Sequence, residues 1–338
     1  MQLKYSFVVP VYNRPGEIRD LLQSMAALKF GRDYEVVIVE DGSSLPCREV
    51  LRDFESLINI SYYFKPNSGP GRSRNFGMRK AAGNYFIILD SDVLLPPHYL
   101  QEVDTFLSSS YVDCYGGPDA AHDSFSVIQK AINYAMTSTL TTGGIRGKKK
   151  AVGKFQPRSF NMGISRKAFQ ASGGYGSIHP GEDPDLSLRL EKLGFKTALI
   201  PDAAVYHKRR IDWEKFYTQV RKFGKVRPIL NLWHPGSGKI TYWFPTVFIA
   251  GLAMALALLL LGWPLLIWLF FVYFLVIAID ATIKNKSLYI GFAAVVATFI
   301  QFYGYGTGFL QSIWKLYFMK MSPQAAFPNL FFNGKEEE

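Results

Sequence analysis

The chain has 338 residues, of which 49% are hydrophobic, and its formal net charge is +11 at pH 7. This length allows one or two domains with a sizeable core, and two cysteines are too few for a disulfide framework, so a reducing compartment is expected. The sequence has no zinc-ligand spacing, recognition helix or RNA-binding aromatic signature, so its positive charge does not indicate a nucleic-acid partner.

Charge is distributed unevenly along the chain. No charged residue occurs in the 39 positions from Thr241 to Ile279 or in the 28 positions from Ser287 to Trp314. Residues 1–240 hold 33 of the basic and 23 of the acidic residues. A basic region followed by long apolar stretches is typical of a protein that contacts anionic lipid headgroups and anionic substrates.

The first 200 residues alternate strand and helix signals. Strands are expected at the apolar runs Tyr5–Val9, Glu35–Val39, Ile58–Phe64 and Tyr85–Leu89. After the first run, Asn13 is a candidate helix cap that precedes Pro15. Alternating strands and helices predict an α/β fold with a mostly parallel sheet. Ligands of such sheets bind beyond the carboxyl ends of the strands.

Two carboxylates follow the strand predicted at Tyr85–Leu89. Asp90 and Asp92 are one residue apart, so they leave the sheet edge on the same side. Mg²⁺ or Mn²⁺, held by one or two carboxylates and by diphosphate oxygens, would compensate two such charges. His207, which follows a later strand-like run, is a candidate third ligand. An isolated Asp-x-Asp is more often an ordinary polar end of a strand, so the other motifs of the chain must decide whether Asp90 and Asp92 form a metal site.

Two further segments precede predicted helices. In Gly181–Asp185, three acids exceed what a helix N-terminus needs, and a carboxylate there could accept a proton from an incoming hydroxyl group. The glycine-rich segment Asn67–Gly77 could bind phosphate with the help of Arg72 or Arg74, although a plain loop explains it equally well. It lacks the Gly-Lys-Ser/Thr ending of a P-loop, which excludes that class.

The apolar tail is expected to hold membrane helices. Its first stretch is too long for one crossing of about 20 residues, and Gly262-Trp263-Pro264 divides it into helices near 243–261 and 265–281. Lys284 and Lys286 then indicate a cytosolic loop. The stretch after them is long enough to cross but contains three closely spaced glycines, which leaves two or three crossings open.

Five short motifs together resemble the inverting glycosyltransferases of family 2, which have the GT-A fold. The motifs are Val8–Asn13, Val39–Ser44, Arg74–Gly77, Leu89–Asp92 and Gly181–Asp183. They occur in the family order within residues 4–210. The resemblance, to the membrane-anchored bacterial type, implies a Rossmann-like nucleotide-sugar-binding domain followed by C-terminal transmembrane helices.

The resemblance also implies roles for individual residues. The side chains implied to bind the nucleotide sugar are those of Pro10, Tyr12, Asn13, Asp41, Arg74, Asn75 and Asp90, with Asp41 on the base or ribose. The implied ligands of Mg²⁺ or Mn²⁺ are Asp92, Asp90 and His207. Asp183 would be the catalytic base, and Glu182 would help to position the acceptor or donor sugar.

Four parts of the chain are expected on this basis. They are a catalytic domain (1–210), an amphipathic interfacial helix or linker (211–240), two to three transmembrane helices (241–320) and a polar tail (321–338). The amphipathic helix would lie in the membrane interface or pack on the catalytic domain. Because the N-terminus enters a strand pattern without a signal peptide, the catalytic domain is expected on the cytosolic face of the inner membrane.

The implied reaction is transfer of one sugar from a nucleoside-diphosphate sugar, with UDP as the default and GDP as the alternative. The acceptor would be a hydroxyl group of a lipid-linked or cell-envelope glycan. The pair Glu182-Asp183 favours a hydroxyl acceptor, because a polyprenyl-phosphate acceptor is already ionised and needs no strong base. Gln219–Phe223 departs from the Gln-x-x-Arg-Trp motif of processive synthases, so a single addition is expected. Two alternatives stay open: a polyprenyl-phosphate glycosyltransferase and a non-catalytic membrane-bound partner in glycan assembly.

Overall fold

A computed structural model describes residues 2–120, 125–142, 155–207 and 212–332. They divide into two compact units. Unit 1 contains the described residues of 1–120, 147–207 and 331–338, and unit 2 contains those of 121–146 and 208–330. Each unit is described by itself below.

The strands and helices are numbered in chain order. The strands are β1 (Tyr5–Val11), β2 (Glu35–Asp41), β3 (Asn59–Lys65), β4 (Tyr85–Leu89), β5 (Val93–Leu94), β6 (Cys114–Gly116), β7 (Asp119–Ala120), β8 (Asn161–Ser165), β9 (Thr197–Leu199) and β10 (Val205–His207). The α-helices are α1 (Pro15–Ala26), α2 (Arg48–Leu51), α3 (Pro70–Lys80), α4 (Tyr99–Ser109), α5 (Val127–Thr137), α6 (Thr139–Thr142), α7 (Arg166–Ser172), α8 (Glu182–Lys192), α9 (Trp213–Trp233), α10 (Phe244–Leu260), α11 (Leu265–Asn285), α12 (Leu288–Ile313) and α13 (Pro323–Ala326).

Unit 1 is built on a seven-stranded sheet with the strand order β3-β2-β1-β4-β8-β6-β9. The four strands from β3 to β4 are parallel, whereas β8 runs antiparallel to both of its neighbours. The predicted α/β class and its four strands are therefore confirmed. The parallel strands bring the residues that follow β1, β2, β3 and β4 to one edge of the sheet.

Helices cover both faces of this sheet because the central strands are apolar on both sides. Along β1, Phe7 packs into a cluster with residues of α1 and α4, and Val8 packs into a second cluster with residues of α3 and α8. This alternation follows from the two-residue period of a strand. A smaller sheet, β5-β10-β7, pairs His207 of β10 with Val93 of β5.

One local expectation about the start of α1 is wrong. The N-cap position is occupied by Arg14, and no side chain caps this helix end. Asn13 lies just before it in the left-handed region, with φ of 56°. Its side chain is used elsewhere, as described below, so Pro15 at the start of the helix sets the backbone direction there.

Unit 2 is helical, and three of its helices are long and apolar enough to cross a membrane: Ile240–Leu260, Leu265–Asn285 and Leu288–Phe318. The two expected from the first apolar stretch are confirmed as helices. The third is unbroken from Leu288 to Ile313 and ends in a π-helical turn, so its glycines do not interrupt it.

These glycines instead allow α9 and α12 to pack closely. A Cβ atom on Gly308 would lie 2.3 Å from the carbonyl oxygen of Arg221, and one on Gly224 would lie 2.1 Å from that of Tyr305. Small residues let helix backbones approach in this way, as they do in membrane helix pairs. The amphipathic helix expected at 211–240 therefore packs along α12 within unit 2.

Gly77 gives a test of the packing that holds α3 on the sheet. A Cβ atom there would lie 2.5 Å from Cγ1 of Val8 and 3.0 Å from Cγ2 of Val39, whereas one on Gly16 would meet nothing within 4 Å. We expect Gly77→Ala to destabilise the fold by about 1–3 kcal/mol because it overpacks a dense core. Gly16→Ala, the control, should be neutral or slightly stabilising, since alanine favours helix.

Scanning calorimetry in mild detergent measures the unfolding transition temperature of both variants and of the native protein. Tryptophan fluorescence is unsuitable because all six tryptophans lie between 213 and 314, outside unit 1. A lower transition temperature for both variants, or for neither, would contradict the packing described here.

Candidate active site

Asp41, the last residue of β2, is held by three donors. Its carboxylate accepts hydrogen bonds from the Lys65 ammonium group at 2.5 Å and from the backbone N–H groups of Ser68 and Gly69 at 2.9 Å each. Both Asp41 and Lys65 are buried, and a buried charge pair persists only when such bonds satisfy its remaining atoms. Asp41 thus fixes the segment that opens α3.

Lys65 is missing from the residues predicted from the sequence. A signal was available, because it is the last residue of β3 and therefore reaches the same sheet edge as Asp41. The strand pattern alone does not reveal that its side chain turns inward to a carboxylate. Sequence reasoning assigned the aspartate and left out the cation that balances it.

Asn13 connects the loop after β1 to the loop after β2. Its amide oxygen accepts hydrogen bonds from the Ser44 hydroxyl group at 3.1 Å and the Leu45 N–H at 2.9 Å. Its own N–H donates to the Ser43 hydroxyl oxygen at 2.7 Å, and that hydroxyl donates to the buried carboxylate of Glu40. In this structure Asn13 shapes the loop.

Pro10 near the end of β1 and Tyr12 just after it lie at the same edge of the sheet. Pro10 pairs with Val39 of β2, and Tyr12 follows the strand with 52% of its surface exposed. An exposed aromatic ring at this edge can stack on a nucleobase. Of the residues predicted to bind the nucleotide, Tyr12 is thus placed where a ligand can reach it.

Arg74 joins two acidic motifs that are far apart in the sequence. Its guanidinium donates to Asp90 at 2.6 Å and to Glu182 at 2.8 Å, and it lies 5.3 Å from the ring centroid of Tyr175. The side chain of Arg74 is almost fully buried. Because a guanidinium is planar and offers donors on several edges, it can hold two carboxylates in a fixed arrangement.

Asn75, the neighbour of Arg74, is also fully buried. Its amide nitrogen donates to the carbonyl oxygen of Tyr175 at 2.9 Å, and its amide oxygen accepts from the N–H of Tyr175 at 2.8 Å. Both ends of the amide are therefore used to tie α3 to the segment before α8. Any effect of Asn75 on a nucleotide would be exerted through that segment.

Glu182 occupies the centre of this arrangement. Burial by itself raises the pKa of its carboxyl group, but His179 and Arg74 outweigh that effect and hold the pKa well below the ordinary value of 4.5. The Nδ1 atom of His179 lies 3.1 Å from both carboxylate oxygens. Glu182 is therefore ionised and fully engaged, which makes it a weak proton acceptor.

The three acids at the start of α8 are in different environments. Glu182 and Asp185 are buried, and Asp185 binds Arg189 one turn later at 2.9 Å. Asp183 is less buried, and one of its oxygens lies 3.7 Å from the guanidinium of Arg158. Of the three carboxylates, that of Asp183 is the most accessible to an incoming group.

Asp90 and Asp92 lie on the loop after β4, and each is next to an arginine. Asp90 binds Arg74, whereas an oxygen of Asp92 lies 3.4 Å from the guanidinium of Arg14. Their side chains are 31% and 11% exposed. The sequence analysis did not predict a role for Arg14, because the segment between β1 and α1 in which it lies has no pattern that distinguishes it from an ordinary loop.

These two carboxylates fit a hard divalent cation. Mg²⁺ and Mn²⁺ take carboxylate oxygens and complete their coordination with water or diphosphate oxygens. Within the described residues, no three His, Cys, Asp or Glu side chains are grouped to hold a metal ion, so phosphate or water would have to supply the rest. The backbone of His207 pairs with Val93, beside this loop, but the side chain of His207 is outside the part of the chain that the structure describes.

The C-terminal segment also belongs to unit 1. Phe331 forms a β-bridge with Ile178, and the N–H of Phe332 donates to the carbonyl oxygen of Ser177 at 3.0 Å. The ring of Phe332 packs against Gly69, where a Cβ atom would lie 2.4 Å from it. The N–H of Gly69 donates to Asp41, so this ring contributes to the surroundings of Asp41. Nothing in the local sequence of the tail indicates this contact.

Residues 6–173 match the sequence profile of the family described as Glycosyl transferase family 2. The chain contains a family 2 glycosyltransferase domain. It is 39% identical to a chondroitin synthase of Escherichia coli over 98 residues, which cover 28% of this chain and 14% of that protein. It is 29% identical to the poly(ribitol-phosphate) beta-N-acetylglucosaminyltransferase TarS of Staphylococcus aureus over 114 residues, or 33% of this chain and 20% of that protein. The chain thus spans a small part of these relatives.

Solved structures support the GT-A fold. A mannosyltransferase from Pyrobaculum calidifontis, in complex with GDP-Man and Mn²⁺, superposes with a TM-score of 0.58 at 17% identity, covering 88% of this chain and 87% of that one. S. aureus TarS 1–349 in complex with UDP-GlcNAc gives a TM-score of 0.50 at 17% identity, covering 94% and 93%. The expected Rossmann-like GT-A domain is confirmed.

The charge network around Glu182 predicts a pH-dependent stability difference. Glu182→Gln leaves Arg74 with one carboxylate instead of two, and we expect a loss of roughly 2 kcal/mol at neutral pH, typical of a hydrogen bond to a charged group. The lowered pKa of Glu182 stabilises the folded protein fully above pH 4.5, and this stabilisation is lost progressively as the pH falls from 4.5 toward the folded-state pKa of about 2. The gap between variant and native protein should therefore narrow at acidic pH.

Scanning calorimetry between pH 7 and pH 3 measures this gap, with Glu55→Gln as the control because Glu55 is exposed. A gap that stays constant across this range would show that Glu182 acts through packing and not through its charge.

Proposed function

We propose that this chain is a metal-dependent inverting glycosyltransferase. It moves one sugar from a nucleoside-diphosphate sugar to a hydroxyl group of a lipid-linked or cell-envelope glycan at the cytosolic face of the inner membrane. The observation that carries this proposal is the bridge from Arg74 to Asp90 and Glu182. This bridge supports placing the loop after β4, with Asp90 and Asp92, on the donor side of one site. It supports placing the carboxylates at the start of α8 on the acceptor side.

On the donor side, the residues at the strand ends would bind the nucleotide. Tyr12 would stack on the base, and Asp41 with Lys65 would hold the shape of the segment beside it. Asp92 and Asp90 would hold Mg²⁺ or Mn²⁺, and the bound ion would neutralise charge that develops on the departing diphosphate. Arg74 would keep the Asp90 carboxylate in place.

On the acceptor side, Asp183 would act as the base. Its carboxylate would accept the proton of the acceptor hydroxyl group while that oxygen attacks the anomeric carbon. The bond from the anomeric carbon to the diphosphate oxygen breaks on the opposite face, so the configuration inverts. Glu182 would position groups and not accept the proton, because its low pKa makes it a poor base.

The proposed donor is a UDP-sugar. TarS of S. aureus, a sequence relative, has a structure that holds UDP-GlcNAc, whereas the structural relative from P. calidifontis holds GDP-Man. The sequence relationship favours UDP. The donor panel in the experiment below distinguishes the two nucleotides directly.

We also propose that two helices, α10 and α11, cross the membrane. Residues 205–207 and 331–332 belong to the same folded unit, so the chain that leaves unit 1 before α9 returns to it after α13. A folded unit lies on one side of the membrane, so a chain that leaves it and returns to it must cross an even number of times. Each crossing must be a helix, because lipid-exposed irregular backbone cannot cross. In the candidate span that contains α12, 44% of the most apolar 18-residue stretch is buried by other parts of the protein, against 11% in each of the other two spans. We therefore assign α12 to the cytosolic side.

Two substitutions test the chemistry. Asp183→Asn should lower kcat by about 10²–10⁴-fold with nucleotide binding retained, because it removes general base catalysis. Asp92→Ala should abolish transfer and weaken metal-dependent binding of UDP. Asp33→Asn, at an exposed position, is the control. The assay measures nucleoside-diphosphate release from UDP- and GDP-sugars with a lipid-linked glycan extract, with and without EDTA.

Two results would redirect the proposal. Full activity of Asp183→Asn together with loss in Asp92→Ala would indicate a polyprenyl-phosphate acceptor. Metal-dependent nucleotide binding without turnover for every donor and acceptor would indicate a non-catalytic partner in glycan assembly.

Cysteine labelling tests the two crossings. The native cysteines are buried, so a membrane-impermeant maleimide reports introduced cysteines. In intact cells we expect labelling of Trp263→Cys, between α10 and α11. Ser287→Cys and Met319→Cys, at the two ends of α12, should react only after permeabilisation. Labelling of Met319→Cys in intact cells would show that α12 crosses.

A further inference from the structure

Four cationic side chains in unit 2 form a group that we call the basic cluster: Arg221, Lys222, Lys225 and Lys315. Arg221 and Lys225 are one helical turn apart on α9. The ammonium groups of Lys225 and Lys315 lie 5.6 and 5.1 Å from the ring centroid of Phe327. Two segments that are distant in the sequence therefore bring their cations to the same aromatic ring.

Among the described residues, no acidic side chain pairs with the basic cluster. From Lys215 to Phe332 the sequence contains a single acidic residue, Asp280, which binds Lys284 and Tyr134. Among the residues that the structure describes, no member of the cluster takes part in an ion pair. The ammonium group of Lys315 donates a hydrogen bond to the carbonyl oxygen of Ala326 at 3.0 Å, which leaves its charge uncompensated.

This arrangement costs free energy when no anion is bound. All four side chains are partly buried, and the buried Nε atom of Arg221 has no hydrogen-bond partner among the described residues. Burial and the charges of Arg221, Lys315 and Lys222 together lower the pKa of Lys225. Like charges held this close in a partly desolvated place repel each other unless a counter-charge binds.

We propose that the basic cluster binds the phosphate groups of a membrane lipid. Lysine and arginine together suit phosphate, the first as a point charge and the second through its planar donors. Lys315 lies in the turn after the apolar helix α12, and clustered basic side chains beside an apolar surface are attracted to anionic lipid headgroups. The proposal rests on the membrane association proposed above and is independent of sugar transfer.

Phosphate in a membrane has two sources, an isoprenoid diphosphate that carries a glycan and the headgroup of an anionic phospholipid. The full chain, purified in uncharged detergent, is titrated with farnesyl diphosphate, with farnesol and with inorganic diphosphate. A second arm measures binding to nanodiscs of phosphatidylcholine with or without phosphatidylglycerol. Lys225→Gln/Lys315→Gln is the test variant, and Lys29→Gln/Lys167→Gln is the matched control, since it removes two exposed lysines of unit 1.

We expect the test variant to bind its lipid probe about 25-fold more weakly, given the usual contribution of a basic side chain near an anionic lipid surface. The control should change by less than about threefold, since its lysines are outside the cluster. A loss confined to farnesyl diphosphate identifies a lipid-linked diphosphate, and a loss confined to phosphatidylglycerol nanodiscs identifies a phospholipid headgroup. Equal loss in the test and control variants, or no loss in the test variant, would overturn the proposal.

Two further measurements keep the result interpretable. Lys222→Gln/Lys225→Gln should reproduce the loss if the first variant folds poorly, and calorimetry monitors the fold of each. Binding of UDP and release of nucleoside diphosphate are measured on the same preparations. Loss of lipid binding without any sugar transfer by the native protein would retain this proposal and remove the proposed function.

Discussion

The structure of unit 1 depends above all on one buried guanidinium. Arg74 projects from α3 and binds Asp90 after β4 and Glu182 at the start of α8. Neither carboxylate could be held as firmly by a lysine, which offers a point charge and no fixed directions. Because the guanidinium is almost fully buried, these two carboxylates supply the charge-assisted hydrogen bonds that its desolvation requires.

Around this guanidinium, the residues of the recognised motifs divide into two groups. Asp41, Asn13 and Asn75 use their polar atoms to tie loops and helices together within unit 1. Tyr12 and Asp183 keep more of their surface accessible. Loops at the edge of a sheet carry function only when a rigid scaffold positions them, and the first group supplies that rigidity.

Unit 2 differs from unit 1 in its helix packing and in its charge balance. Its helices α9 and α12 approach closely at glycines. From Lys215 to Phe332 the sequence holds one acidic residue, Asp280, and many basic residues. In water such a charge imbalance would be screened by salt, whereas beside a membrane it attracts anionic lipid. Apolar surface, close helix packing and unbalanced positive charge are together typical of a unit that works at a lipid surface.

The sequence by itself determined the α/β class, the four parallel strands, the apolar helices and the acidic motifs at the strand ends. These features are local, since a two-residue period, an uncharged run or two aspartates separated by one residue can be recognised without knowing any distant contact. Only the tertiary structure decided that Lys65 balances Asp41, that Arg74 joins Asp90 to Glu182 and that Phe332 packs on Gly69. Those contacts join residues far apart in the chain, and their partners depend on how the elements pack and on which charges burial forces together.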